Sequence, residues 1–180
     1  LHHPGLSDVA DALEAAVKRG DISSCSATSA STASRPPPCS PAVLRALGAQ
    51  ATPFIPLRFE EGYALSQAAI TRACSFGPDF IVTVDCGIAC KAEAAAVVEA
   101  GLGLAITDHH EPVDLVPEGV PVADPKCDAN CPSSILAGVG VAFFLMAALN
   151  GKLEAMSGKR MDMRQVLDLV ALGTLADMVS

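Results

Sequence analysis

The sequence predicts an α/β fold, with a mostly parallel β-sheet flanked by helices. Three observations predict it. Short apolar runs ("DFIVTVD", "LGLAITD", "VPVADP") alternate with longer segments of helical periodicity, the pattern of βαβ units. The first two runs are apolar almost throughout, as expected of strands covered on both faces. The core must also be aliphatic, because hydrophobic residues make up 51% of the chain but aromatic ones only 4%, with no Trp. At 180 residues the chain has the length of one medium domain.

Taken in order, "SDVADALEAAVKRG" reads as a helix with Ser7 as N-cap, Val9, Leu13, Ala16 and Val17 at helical spacing, and Gly20 as its stop. "PAVLRALGA" is the end of a second helix, with Pro41 near its start and Gly48 after it. "ATPFIPL" is a short strand that its prolines demote to an edge. "LSQAAITRACSFG" and "KAEAAAVVEAG" are helical, and "DFIVTVD", "LGLAITD" and "VPVADP" are strands. "GVGVAFFLMAALNG" and "MRQVLDLVALGTLADM" are apolar helices. No internal repeat is present, and no apolar run is expected to span a membrane.

The formal net charge is −8. That argues against a free-standing nucleic-acid-binding module, which needs cations for phosphate. It is compatible with a metal-dependent nuclease, whose carboxylates hold cations that in turn meet the phosphate. The seven Cys are odd in number and irregularly spaced, and no secretory signal opens the chain, so a reduced, cytoplasmic setting is expected. Cys86 and Cys90, like Cys127 and Cys131, are spaced more widely than most zinc knuckles.

Parallel sheets place ligand sites at the carboxyl ends of their strands. "IVTVD" ends at Asp85 and "LAITD" at Asp108, which His109 and His110 follow. Adjacent residues of a strand point to opposite faces, but in a loop both His can turn to one rim. Carboxylate with neutral imidazole suits Mn²⁺, Fe²⁺ or Zn²⁺; alternatively the His are surface loop residues and Asp108 caps a turn. Asp177, near the end of an apolar helix, reads as a metal ligand or as a solvent-facing residue. Gly138 and Gly140 either leave helix-start N–H groups free for phosphate or permit close packing. Arg58, in "RFEEGYAL", is a phosphate contact or a solvated loop residue.

Together "VTVDCGI", "TDHHEP", "LAGVGVAF" and "LVALGTLADMV" resemble the motifs of the DHH phosphoesterase superfamily, and within it the RecJ-type single-stranded-DNA-specific exonucleases. The opening "LHHPGLSDVADALEAAVKRGD" and "RFEEGYALS" are similar too, although the family often has Asn where Leu57 stands. The resemblance implies that residues 1–180 are a fragment of a DHH-type catalytic domain. It implies a pair of Mn²⁺ or Mg²⁺ ions, with Asp85 bridging and His109 and Asp177 as further ligands. Asp108 and His110 would support the ligands or face phosphate. The implied activity is 5′-to-3′ hydrolysis of single-stranded DNA in repair and recombination, with single-strand-binding protein or a helicase as partner and no membrane. Relatives continue past this point with basic, strand-gripping domains. Two alternatives share the resemblance: a phosphodiesterase of short oligonucleotides or cyclic dinucleotides, and a catalytically dead scaffold.

The first motif, a "GDYDxDG" type segment after the first strand, is missing. Residues 23–41 read "SSCSATSASTASRPPPCSP", without one acidic residue. Back-translated from Cys25 to Pro41 with G- or C-rich codons and read two bases further on, the stretch gives "LGDFGVDGVTATALLS", two aspartates at family spacing. Paired compensating frameshifts account for this tract, and a genuine Ser/Pro-rich insertion is the alternative. Either way a disrupted first-motif region, a lost central strand and an impaired enzyme are expected.

Overall fold

The computed structural model describes residues 3–20, 22–27, 39–46, 48–62, 64–158 and 160–177. Among the described residues five strands form one sheet in the order β2-β1-β3-β4-β5. They are β1 (Ile22–Ala27), β2 (Gln50–Phe54), β3 (Phe80–Val84), β4 (Gly103–Thr107) and β5 (Val122–Ala123). Every pairing is parallel. The helices are α1 (Leu6–Arg19), α2 (Cys39–Ala46), α3 (Arg58–Glu61), α4 (Gln67–Cys74), α5 (Lys91–Glu99), α6 (Gly138–Ser157) and α7 (Leu167–Ala176).

The pleat divides the core. Phe80, Val82 and Ala105 face Val9, Leu13, Val43, Leu44, Leu145 and Leu149 of α1, α2 and α6. Their chain neighbours Ile81, Leu104 and Ile106 face Ala69, Ile70, Ala94 and Val97 of α4 and α5. Period-two alternation thus supplies two apolar faces from apolar runs.

Several expectations shift. The central strand is present: β1 is built from Ile22 and the first residues of the 23–41 tract, and lies between β2 and β3. Parallel pairing uses main-chain groups, which Ser, Cys and Ala carry as well as Val does. The tract's last residues, Cys39–Pro41, open α2; residues 28–38 lie outside the described residues. Pro53 sits on edge strand β2, as expected. Helix α1 starts at Leu6 and is capped by Gly5 rather than Ser7. Gly5 has φ +67, and a Cβ there would lie 1.7 Å from the Val122 carbonyl oxygen, so the chain enters the helix in a conformation and a space that only glycine fits. The "RFEE" loop is a four-residue helix, α3. The last apolar segment divides into a 3₁₀ turn, Met163–Val166, and α7.

Contrary to expectation, the Gly138–Ala155 stretch of α6 is long and apolar enough to cross a membrane. Here it serves as a core helix, with Val141, Ala142, Leu145, Met146, Leu149 and Leu153 all buried. Asn150 fastens its far half to the following segment: its Nδ2 donates to the Met161 carbonyl (2.8 Å) and its Oδ1 accepts from the Met161 N–H (3.0 Å).

Leu145 is fully buried, whereas Leu175 is 77% exposed. Leu145→Ala is expected to lower the unfolding free energy by about 2–5 kcal/mol, and Leu175→Ala by less than about 0.5 kcal/mol. Urea denaturation of the two variants beside the parent checks both.

Candidate metal centre

Because all five strands run one way, their carboxyl ends share one rim. Asp85 follows β3, Asp108, His109 and His110 follow β4, and Asp124 follows β5. Asp177 arrives separately, as the C-cap of α7. His109 Nε2 lies 2.9 Å from Asp85 Oδ1 and 3.2 Å from Asp177 Oδ2. These three atoms are buried, and none makes a hydrogen bond of acceptable geometry. Buried polar atoms without hydrogen bonds are costly, and a divalent cation beside His109 would suit either of the two carboxylate oxygens that face it. Bonds of about 2.1 Å set neighbouring octahedral ligands about 3 Å apart, matching these spacings. Asp85, His109 and His110 are the one group among the described residues whose three ligand atoms all lie within 4.8 Å of one another; Asp177 falls outside it and approaches through His109 alone. No described cysteine joins it.

Local packing fixes the candidate ligands. Asp85 has φ +65, a region Asp tolerates better than most residues, and its N–H donates to the Thr107 carbonyl (2.9 Å). A Cβ on Gly138 would lie 2.4 Å from Asp85 Oδ1. The first residue of α6 is therefore seated on the Asp85 carboxylate, and no larger side chain fits. A Cβ on Gly173 would lie 2.8 Å from Val139 Cγ1, so α7 rests directly on α6. Asp177, whose N–H donates to the Gly173 carbonyl (3.0 Å), is thereby carried to the rim.

Asp108 has a different environment. It is buried, and its Oδ2 accepts from the Ile88 N–H (2.9 Å). Its Oδ1 accepts from the N–H groups of His109 (2.8 Å) and His110 (3.3 Å) and meets His110 Nδ1 at 2.6 Å. This carboxylate ties the two-histidine loop together. Burial alone would raise its pKa, but His110 and the backbone donors outweigh burial and lower it. The Asp108 partner in turn raises the pKa of His110. Burial raises that of Asp85, with His109 opposing and the Asp177 and Asp108 charges adding. For His109 burial works downward, yet Asp85 and Asp177 overcome it and the pKa is raised.

Of the other expected residues, Gly138 belongs to the centre through its contact with Asp85. Gly140 does not reach it: its N–H donates to Ala137 (2.8 Å), and its Cα faces Leu136. Arg58 opens α3, and its side chain lies outside the described residues. Sequence reasoning passed over Asp124, which is fully buried. Its Oδ1 accepts from the Lys126 N–H (2.8 Å), and its Oδ2 has no partner. Burial above all pushes its pKa up to about 6. The signal was available, since in "VPVADP" an acid follows the apolar residues just as it does in the other two runs.

Residues 18–174 match the family model described as "DHH family, N-terminal domain". The chain belongs to the DHH family. Among curated DHH relatives, the single-stranded-DNA-specific exonuclease RecJ of Salmonella typhimurium is 41% identical over 144 residues, 76% of this chain and 25% of its own length. The RecJ of Bacillus subtilis is 37% identical over 184 aligned residues, 97% of this chain and 21% of its own. A crystal structure of exonuclease RecJ bound to manganese superposes with a TM-score of 0.83 at 32% identity, covering 99% of this chain and 44% of that one. RecJ of Thermus thermophilus in complex with Mn²⁺ gives a TM-score of 0.77 at 29% identity, over 99% and 25%. The chain thus spans about a quarter of the length of these curated relatives.

A raised His109 pKa means that the protonated imidazole stabilises the metal-free fold. The contribution is complete below the unfolded value of about 6.5 and is lost as pH rises through the folded one. In imidazole NMR titrations His109 is expected to titrate above the ordinary histidine value, and Asp85→Asn to bring its midpoint down.

Proposed function

We propose that this chain is part of the catalytic domain of a metal-dependent exonuclease that degrades single-stranded DNA from 5′ to 3′. The observation that carries the reading is the approach of Asp85 and Asp177, far apart in sequence, to the same buried His109 nitrogen. Support comes from relatives that are RecJ exonucleases and from related structures that hold manganese. A role in DNA repair and recombination in the cytoplasm follows from the same reading, with single-strand-binding protein or a helicase as partner.

In this proposal Asp85, His109 and Asp177 hold Mn²⁺ or Mg²⁺. The bound metal supplies a Lewis acid for the scissile phosphate and lowers the pKa of a coordinated water. Asp108 orients the two-histidine loop through its four contacts. His110 is half-exposed at the mouth. The Asp108 carboxylate keeps its proton in place toward neutral pH, where it can be given to a phosphate oxygen.

The tract limits this chemistry. Strand β1 ends at Ala27, on the same rim and beside β3. In the shifted frame the first aspartate spans the codons of Ala27 and Thr28, directly past that strand end, and the second spans those of Ser31 and Thr32. With no acidic residue there, the centre lacks carboxylates that would balance further cation charge. We read the chain as impaired for that reason.

Mn²⁺ binding by calorimetry is expected for the parent chain, with Asp85→Asn, His109→Ala and Asp177→Asn each weakening it at least about tenfold. Because the proton on His109 competes with the ion, affinity should fall as the pH is lowered through the raised His109 pKa. EDTA should abolish hydrolysis. The double variant Thr28→Asp, Thr32→Asp is expected to raise nuclease activity on 5′-phosphorylated single strands above that of the parent. A preference for dinucleotides over long strands would favour the short-oligonucleotide reading. Absence of Mn²⁺ binding, with no gain in the double variant, would favour the scaffold.

A further inference from the structure

The chain has six Phe, and five of them are accounted for by packing. Phe54 and Phe76 meet edge to face at 6.1 Å, and Phe143 and Phe144 at 5.8 Å. Phe80 is buried against Gly103. Phe59 is different: it is 103% exposed, with no ring partner among the described residues. Yet its backbone is firmly held. The N–H groups of Glu60 and Glu61 donate to the Leu57 carbonyl at 2.9 and 2.7 Å. Glu61 Oε2 accepts from the Leu57 N–H at 2.6 Å. Arg72 bonds to Glu61, donates to the Ile55 carbonyl (2.5 Å) and covers the Phe54 ring at 4.2 Å. Ser66 Oγ bonds to the Glu61 carbonyl. A turn fixed at both ends thus presents one bare aromatic ring to solvent.

Its position is informative. α3 follows β2, so it leaves the sheet at the same rim as Asp85, and the order β2-β1-β3 puts the end of β2 two strand spacings, roughly 10 Å, from the end of β3. Among the described residues, its exposed apolar neighbours in the chain are Leu57 and Ile55, too narrow a patch for a stable protein interface. A flat π-face does suit a nucleobase, and stacking needs no charge. That matters in a chain of net charge −8, which repels phosphate. Base–aromatic stacking is also indifferent to sequence, as a non-specific exonuclease requires. Building on the function proposed above, we propose that Phe59 is a stacking platform for a base of the single strand whose backbone enters the metal centre.

The absence of Trp makes the test direct, because Phe59→Trp introduces a sole tryptophan. Its emission is expected to be quenched by oligo-dT and left unchanged by an abasic strand of equal length. Phe59→Ala and Phe59→Leu should each weaken oligo-dT binding, read by anisotropy of a labelled strand, about tenfold. Abasic-strand binding, Mn²⁺ affinity and the unfolding midpoint should stay at parental values. If Phe59→Ala binds oligo-dT like the parent, or the tryptophan does not distinguish the two strands, the platform is overturned while the exonuclease reading stands. If the parent binds Mn²⁺ but no oligo-dT at all, the substrate assignment falls, and the platform falls with it.

Discussion

The parallel pairing of β3 with β4 is the constraint on which the site depends. It brings Phe80–Val84 alongside Gly103–Thr107 in register, so Asp85 and Asp108 emerge side by side at the same end. Reversing either strand would send one carboxylate to the opposite edge of the sheet. Parallel pairing in turn needs a crossover helix, and α5 supplies it, burying Ala94 and Val97 against Ile81, Leu104 and Ile106. The apolar character of these strands, an unspecific feature of composition, is thus what delivers acidic groups to a common place.

A second layer of control is steric. Asp85 takes a left-handed backbone conformation with Gly138 against its carboxylate, and Gly173 lets α7 rest on Val139. Two glycines on two helices therefore govern where two acidic residues sit. Asp108, with every contact made inside the protein, has the opposite character from Asp85, His109 and Asp177, whose facing atoms lack partners. Hydrogen bonding separates the residues that shape the loop from those free to take a cation.

Much of this was legible in the sequence. Asp85, Asp108, His109 and His110 could be placed because two unmistakable strands end beside them. Asp177 needed the motif resemblance, since nothing local shows that the end of α7 folds back to the rim. Asp124 escaped notice because β5 is only two residues long, too short for its end to draw attention. The α1 cap was misplaced for a tertiary reason: Gly5 answers to the Val122 carbonyl, a contact more than a hundred positions away. The central strand was misjudged because side-chain character was used to assess an element fixed by its backbone.

That backbone dependence has a wider consequence. The ladder between β2 and β3 reads amide groups, which are the same in any reading frame free of proline. A gene scrambled over its catalytic motif can therefore still yield a chain that assembles its sheet. Cellular surveillance that inspects compactness would let such a product through. On the impaired reading proposed above, chemistry and architecture are separable in this fold, and a well-folded preparation is no certificate of a working enzyme.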